Sequence, residues 1–225
     1  MNSPRFVIVG LGNIGEATLP LLKRLWPMSD VLVIDQLIDE RRLRLLVEFG
    51  IDGVELRITR DNHARVLAPL LEPGAMLLNF AVDVCSVDLI QLAQSHGAHY
   101  LDTCIDPWSY HDATSPLLTS NYALRENMLA LAARSAGQPT AVVAHGANPG
   151  FVSVLVKQAL HRMGQRFLHG REAAPRDQPG WARLAHDLGV RVIQIAERDT
   201  QVSAQARAEG EFINTWSVDG FITEC

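Results

Sequence analysis

The chain has 225 residues, 48% of them hydrophobic and 20% charged, a composition that excludes disorder and suits a globular protein. Twenty Lys and Arg against 25 Asp and Glu leave a formal charge of −5, so no basic footprint for nucleic acid exists. No stretch reaches the ~18 uninterrupted apolar residues of a membrane span, and Met1-Asn2-Ser3-Pro4-Arg5 lacks the pattern of a signal peptide. Cys85, Cys104 and Cys225 are too few and too scattered for a disulfide framework, which makes a reduced cytoplasmic protein the expectation. At ~100–200 residues per domain, the length suggests one full domain and part or all of a second.

Phe6-Val7-Ile8-Val9 is a continuous apolar run of the kind that forms a strand buried on both faces. After a glycine-rich turn, Ile14, Ala17, Leu21, Leu22 and Leu25 recur at helical spacing, and Pro27 stops the helix. Val31-Leu32-Val33-Ile34 is a second buried strand, ending in Asp35, and residues 39–49 read as a helix closed by Gly50. A strand over Val54–Ile58, a helix over Asn62–Leu71 and a strand over Met76–Phe80 follow. Ser86 is the expected N-cap of a helix through Ser95, and His99-Tyr100-Leu101 continues into Asp102-Thr103 as a fifth strand. A helix over Asn121–Ser135 and a strand over Thr140–Ala144 complete an alternating series. Such alternation implies βαβ units and a doubly wound parallel sheet of order 3-2-1-4-5-6, an α/β (Rossmann) domain over residues 1–150.

Beyond residue 150 the pattern changes. Phe151–Met163 is an amphipathic helix ended by Gly164, residues 165–180 lack periodicity, and Trp181–Leu188 reads as a short helix. Val190–Ala196 and the tail from Glu211 to Glu224 read as strands, so residues 151–225 are expected to begin an α+β substrate domain, cut short at Cys225.

Gly10-Leu11-Gly12-Asn13-Ile14-Gly15 follows a strand and opens a helix. Gly10 permits a tight turn, Gly12 lets the backbone approach a pyrophosphate, and Gly15 lets helix and strand pack closely, while the helix N-terminus favours anions. Asp35 ends the second strand, twenty residues past Gly15, where an acid holds the adenine ribose hydroxyls and repels a 2′-phosphate. The cofactor expected is therefore NAD rather than NADP, although Arg41 and Arg42 keep the second open.

The chemistry of this fold occurs beyond the carboxyl ends of its strands. Those segments are Phe80-Ala81-Val82-Asp83, Asp102 through Trp108, and His145 through Gly150. Ala81, Val82 and Thr103 join the glycine loop as candidate cofactor contacts. Cys104–Ser120 is longer than an ordinary connection and gathers Asp106, Trp108, Tyr110 and Asp112; it is either a functional loop or an ordinary surface loop. Asn148-Pro149-Gly150 is either a turn with a capping Asn148 or an amide aimed at a substrate nitrogen or the nicotinamide. A Cys104/His145 nucleophile pair is outweighed by a buried-thiol reading, and His96, His99, His111 and His145 lack metal-ligand spacing, so no metal is expected.

Three segments carry a more specific signal: Leu101 through Trp108, His145 through Gly150, and Asn214 through Phe221. Together they resemble bacterial homospermidine synthase, related to the saccharopine dehydrogenase-like enzymes, over Phe6–Glu224. The resemblance implies tightly bound NAD, oxidation of putrescine to an imine, loss of ammonia, addition of a second putrescine and reduction of the Schiff base by the same cofactor. It makes the reaction an aminobutyl transfer with no net redox change, and the protein a homodimer. Trp216 resembles the family's cation–π tryptophan, Glu224 and Glu197 its pocket glutamates, Asn148 its amide near the reacting amine, and Asp83 an acid after strand four. Read without the resemblance, Trp216 is a core aromatic and Glu224 a solvated tail residue. Asp106 stands where the family usually reads Glu before Pro-Trp, which shortens a carboxylate expected near the distal ammonium. Family members are considerably longer, so the chain alone is expected to bind NAD but to turn over putrescine poorly. Two other readings remain: a saccharopine-reductase-like NAD(P)-dependent dehydrogenase, and a non-catalytic NAD-binding or assembly module.

Overall fold

The computed structural model describes residues 4–110, 116–170, 173–198, 200, 202, 205–211 and 213. Among them, β1 (Phe6–Val9), β2 (Val31–Asp35), β3 (Asp52–Glu55), β4 (Met76–Asn79), β5 (His99–Asp102) and β6 (Ala141–Val142) form one sheet. Every neighbouring pair is parallel and the order is β3-β2-β1-β4-β5-β6, the doubly wound arrangement expected from the alternation. The order reverses at β1, so a crevice opens between the carboxyl ends of β1 and β4.

Each strand's alternate side chains serve opposite faces. Phe6 and Ile8 of β1 pack with Val33 of β2, with Leu19 and Leu22 of α1 (Asn13–Leu25) and with Leu46 of α2 (Glu40–Phe49). Val7 and Val9 belong to the other face, with Leu67 of α3 (His63–Leu67), Leu89 and Ile90 of α4 (Ser86–Ser95) and Met128 and Leu131 of α5 (Asn121–Ala132). Burial on both sides is why the first two strands read as unbroken apolar runs.

Several elements depart from their expected form. The buried face of α1 is Gly15, Leu19 and Leu22, whereas Ile14 (51% exposed), Leu21 and Leu25 face outward. Apolar residues surround this helix, so spacing alone did not fix its phase. The strand β3 ends at Glu55 because its partner β2 ends at Asp35, and Leu56 and Ile58 pass into the following loop. After Leu67 the chain tightens into a 3₁₀ turn, Ala68–Leu70, because Pro69 has no N–H to continue the α ladder. Ser86 is the first residue of α4 rather than its cap; Cys85 takes that place, and Ser86 is buried.

The first compact unit runs to Ala144 and a second begins at His145, six residues before the expected boundary. The second contains α6 (Phe151–Phe167) and α7 (Gln178–Asp187). Gly164 does not end α6: it is buried within it, and a Cβ there would lie 3.0 Å from Leu184 Cδ1 of α7, so the glycine permits the two helices to approach. Asp177 caps α7 by accepting the Gly180 N–H, and Pro179 fits the first turn, which moves its start ahead of Trp181. The segment Val190–Ala196 is not a strand. It has no ladder partner among the described residues, and Val192 is 80% exposed. Most of the expected tail strand, including Trp216 and Glu224, lies outside the described residues. No described helix is long and apolar enough to cross a membrane.

Two glycines of the first turn are required by the chain itself. Gly10 has φ +97°, and a Cβ there would lie 2.5 Å from the Ala81 nitrogen; a Cβ on Gly15 would strike the Gly10 carbonyl oxygen. Gly10→Ala and Gly15→Ala are therefore each expected to lower the unfolding free energy by roughly 2 kcal/mol or more in urea titrations. An unchanged transition in either variant would contradict this packing.

Candidate functional site

The crevice between β1 and β4 is a cleft of about 340 Å³. Gly10, Gly12, Asp35, Ala81, Val82 and Asp83 all line it, so the turn after β1, the end of β2 and the loop after β4 converge as the sequence suggested. Of the other candidates in this unit, Asn13 and Ile14 are exposed at the start of α1, Gly15 is buried in its contact with Gly10, and Thr103 is half-buried beyond β5. Leu56 and Ile58, which a longer β3 would have absorbed, contribute apolar wall.

Gly12 differs from its two neighbours. Its φ of −78° suits any residue, and a Cβ built there meets nothing within 4 Å. Neither backbone conformation nor internal packing demands a glycine, and the space a side chain would fill adjoins the cleft. Together with the unpaired N–H groups that a helix's first turn offers, this open space could hold a phosphate group.

Asp35 has a double role. Its Oδ2 accepts the Leu11 N–H at 2.5 Å and its Oδ1 accepts the Leu37 N–H at 2.9 Å, so the carboxylate joins the end of β2 to the glycine turn. Arg42 approaches Oδ1 at 3.5 Å and donates to the Leu37 carbonyl at 2.6 Å. The pairing leaves an acid partly neutralised, on the wall where a ribose diol would need an acceptor.

Beyond β4 and β5 lies a buried polar network. Asn79 donates to the Val84 carbonyl and to the Tyr100 hydroxyl, which in turn donates to Asp102 Oδ2 at 2.8 Å. Asp102 is 0% exposed and also accepts the Ala144 N–H at 2.6 Å, reaching from β5 to the second residue after β6. Burial is the main reason its carboxyl is raised to about 6, with hydrogen bonds from Ala144, Ser86 and Tyr100 opposing. The sequence placed Asp102 at a strand end but gave it no role; its signal is an acid directly after a tyrosine-containing strand, too common to single out.

Asp106 is also buried, 5% exposed. It accepts from the Tyr110 hydroxyl at 2.7 Å, the Cys104 thiol at 3.2 Å and the Asp83 backbone N–H, and burial pushes its carboxyl up. Asp83 itself is half-buried with φ +58°, a left-handed conformation uncommon outside glycine, so Asp106 braces a strained residue at the cleft. Trp108 donates to Asp88 at 2.6 Å and stacks obliquely on His63. Asp112 lies outside the described residues. Asn148 and Glu197 belong to the second unit, and each is exposed.

The family model for the saccharopine dehydrogenase NADP binding domain matches residues 6–142, the span of this sheet. The chain belongs to that family. Among proteins of known activity it is 44% identical over 227 residues to homospermidine synthase of Blastochloris viridis, covering 97% of this chain and 47% of that protein. The corresponding enzyme of Mesorhizobium japonicum is 41% identical, with 97% and 46% covered. The crystal structure of Legionella pneumophila homospermidine synthase in complex with NAD superposes with a TM-score of 0.83 at 33% identity, over 99% of this chain and 46% of that one. The chain is thus a homologue of homospermidine synthases and spans about half the length of the relatives it matches.

The Asp102 shift has a definite sign. A folded-state value above the unfolded one means that the folded protein binds the proton more tightly. This carboxyl therefore lowers stability as pH rises from about 4 to about 6, by ~1–3 kcal/mol, and adds no further slope above that. Asp102→Asn mimics the protonated form, so urea titrations between pH 4 and 8 should show the variant gaining on the native chain across that window. A stability difference that does not change with pH would refute the assignment.

Proposed function

We propose that the first unit binds NAD with its pyrophosphate over Gly12 and the start of α1 and its adenosine ribose at Asp35, and that it does so as part of a homospermidine synthase-type enzyme. The observation that carries the cofactor reading is Gly12, a glycine that the chain's own geometry does not need. Asp35 supports NAD over its 2′-phosphorylated form, since a carboxylate accepts from ribose hydroxyls and repels a phosphate. The Legionella relative solved with NAD agrees with this choice.

The reaction this reading implies joins two putrescines into homospermidine with release of ammonia, and NAD supplies the hydride acceptor and donor that leave no net redox change. The chain's own residues have to hold a flexible dication beside that cofactor. Asp83 is the candidate carboxylate for an ammonium group: it lines the cleft and also a neighbouring hollow of about 300 Å³ with Trp108 in its wall. A carboxylate beside an aromatic face suits a diamine, although Arg57 and Arg60 border the same hollow and narrow where a cation can lie. Asp106, closed in by Tyr110, Cys104 and Asp83, fits a positioning role beneath Asp83 better than direct contact with an ammonium. Asn148, Glu197, Trp216 and Glu224 are proposed as further diamine contacts, on the strength of the family resemblance alone.

Calorimetric titration of the 225-residue chain with NAD tests the first part. Gly12→Ala should weaken binding by roughly tenfold or more, the equivalent of the ~1–3 kcal/mol that overpacking costs, while leaving the melting temperature unchanged. Affinity that survives Gly12→Ala would refute the placement. Incubation with NAD and putrescine tests the second part: homospermidine in the mixture supports the enzymatic reading, bound NAD with little or no product is the outcome expected of a half-length chain, and failure to bind NAD counts against it.

A further inference from the structure

Two arginines stand in the first turn of α2, Arg42 on the cleft wall beside Asp35 and Arg41 next to it in the chain, yet neither presents an uncompensated charge. Arg41 makes a two-pronged pair with Glu16 of α1: Nη1 donates to Oε2 at 2.8 Å and Nη2 to Oε1. Arg42 holds its Nε 3.5 Å from the same Glu16 Oε1 and its Nη1 3.5 Å from Asp35 Oδ1. The Arg42, Glu16 and Asp35 side chains are only 20%, 18% and 12% exposed, so their charges are less screened than those of a surface pair. Two carboxylates thus face two guanidiniums, and this group of four carries no net charge.

We propose that Glu16 is a specificity-determining residue, which excludes NADP from the cleft by engaging Arg41 and Arg42. The inference rests on the dinucleotide site proposed above. Planar guanidiniums near the end of the second strand are the groups best suited to clasp a phosphate with paired N–H donors. An isolated Asp35 would repel a 2′-phosphate but would still face two adjacent cations able to offset it. Glu16 removes that compensation twice over: it occupies the donor fork of Arg41, and it adds a second negative charge beside Arg42. A neutral ribose diol meets no such penalty, because it requires only the acceptor that Asp35 provides. Discrimination then arises from a repulsive arrangement of charge as much as from an attractive contact to the preferred ligand.

The geometry also explains why a domain whose family model is named for NADP can have arginines in place and still favour NAD. The cations are present in the sequence, and their availability is decided by one glutamate twenty-five residues earlier, on a different helix.

Affinities of the 225-residue chain for NAD and for NADP, measured by calorimetry at fixed low salt, test the proposal. Glu16→Gln keeps the shape and removes the charge, and should raise NADP affinity relative to NAD by about tenfold or more, the scale of one charge-assisted contact. Adding Arg41→Ala and Arg42→Ala to that variant should abolish the gain. In the native background, Arg41→Ala should leave NADP affinity unchanged, because its fork is already filled; this arm does not depend on how Glu16→Gln folds. A ratio unmoved by Glu16→Gln, a gain that persists without the arginines, or a loss of NADP binding on Arg41→Ala alone would each overturn the proposal. If the native chain binds neither dinucleotide, the cofactor reading itself fails, a result distinct from binding with an unaltered preference.

Discussion

The carboxylate of Asp35 accepts two backbone N–H groups from segments 24 and 2 residues away, Leu11 and Leu37, and through them it couples the two halves of the cleft wall. A parallel sheet supplies strand ends in a row but does not fix the turns that leave them. Here the turn after β1 must pass close to β4, since Gly10 has no room for a side chain against Ala81, and must then reverse into α1 at once. Fixing Leu11 to the end of β2 holds that turn at its second residue, so the start of α1 is directed at the cleft rather than left to fray. A hydrogen bond to a charged acceptor contributes about 1.5–3 kcal/mol, enough to favour one turn geometry over its competitors. The same carboxylate then stands on the wall of the cleft, so one side chain both braces the turn and lines the cavity.

The far half of the sheet solves a different problem. The strand β6 has two residues and shares a two-residue register with β5, Tyr100 opposite Ala141 and Leu101 opposite Val142. So short a ladder orders a chain weakly. Asp102 supplements it with a bond to the Ala144 N–H, where the backbone has φ +50°, a conformation alanine rarely adopts. The carboxylate is in turn held by Tyr100, and Tyr100 by Asn79 from β4, so the carboxyl ends of three strands are joined through side chains. The cost of this arrangement is a buried acid whose ionisation opposes folding above about pH 6.

How much of this could be read from residues alone depended on whether one short segment carried the whole cause. The strands β1 and β2 were legible because burial on both faces leaves an unbroken apolar run. The glycine turn and Asp35 were legible because spacing, strand and helix all point to one motif. The phase of α1 was not, since Ile14, Leu21 and Leu25 are as apolar as Leu19 and Leu22 and only the position of the sheet distinguishes them. Gly164 looked like a stop because a glycine after an amphipathic run usually is one, and only Leu184 of α7 reveals it as a contact. Val190–Ala196 has the composition of a strand, but a strand is a property of a pair. Asp106 is expected from the resemblance near a distal ammonium, and the bonds that close it come from Asp83, Cys104 and Tyr110, a combination visible only once the loops are folded together.

The three acids along the sheet's carboxyl edge therefore differ by environment rather than by residue type. Asp35 is largely enclosed but lines the cleft, and backbone donors and Arg42 compensate its charge. Asp102 and Asp106 are enclosed, bind their protons more tightly because burial disfavours the charge, and depend on hydroxyl, thiol and amide donors in place of cations. An acid compensated by donors alone has no spare capacity to hold a diammonium ligand without first losing a partner, which would cost about 1–3 kcal/mol for each group left unsatisfied. Asp83 donates its backbone N–H to Asp106 and lines the cleft. The division of labour follows: the buried acids hold the loops in place, and the loops bring Asp35 and Asp83 to the wall of the cleft.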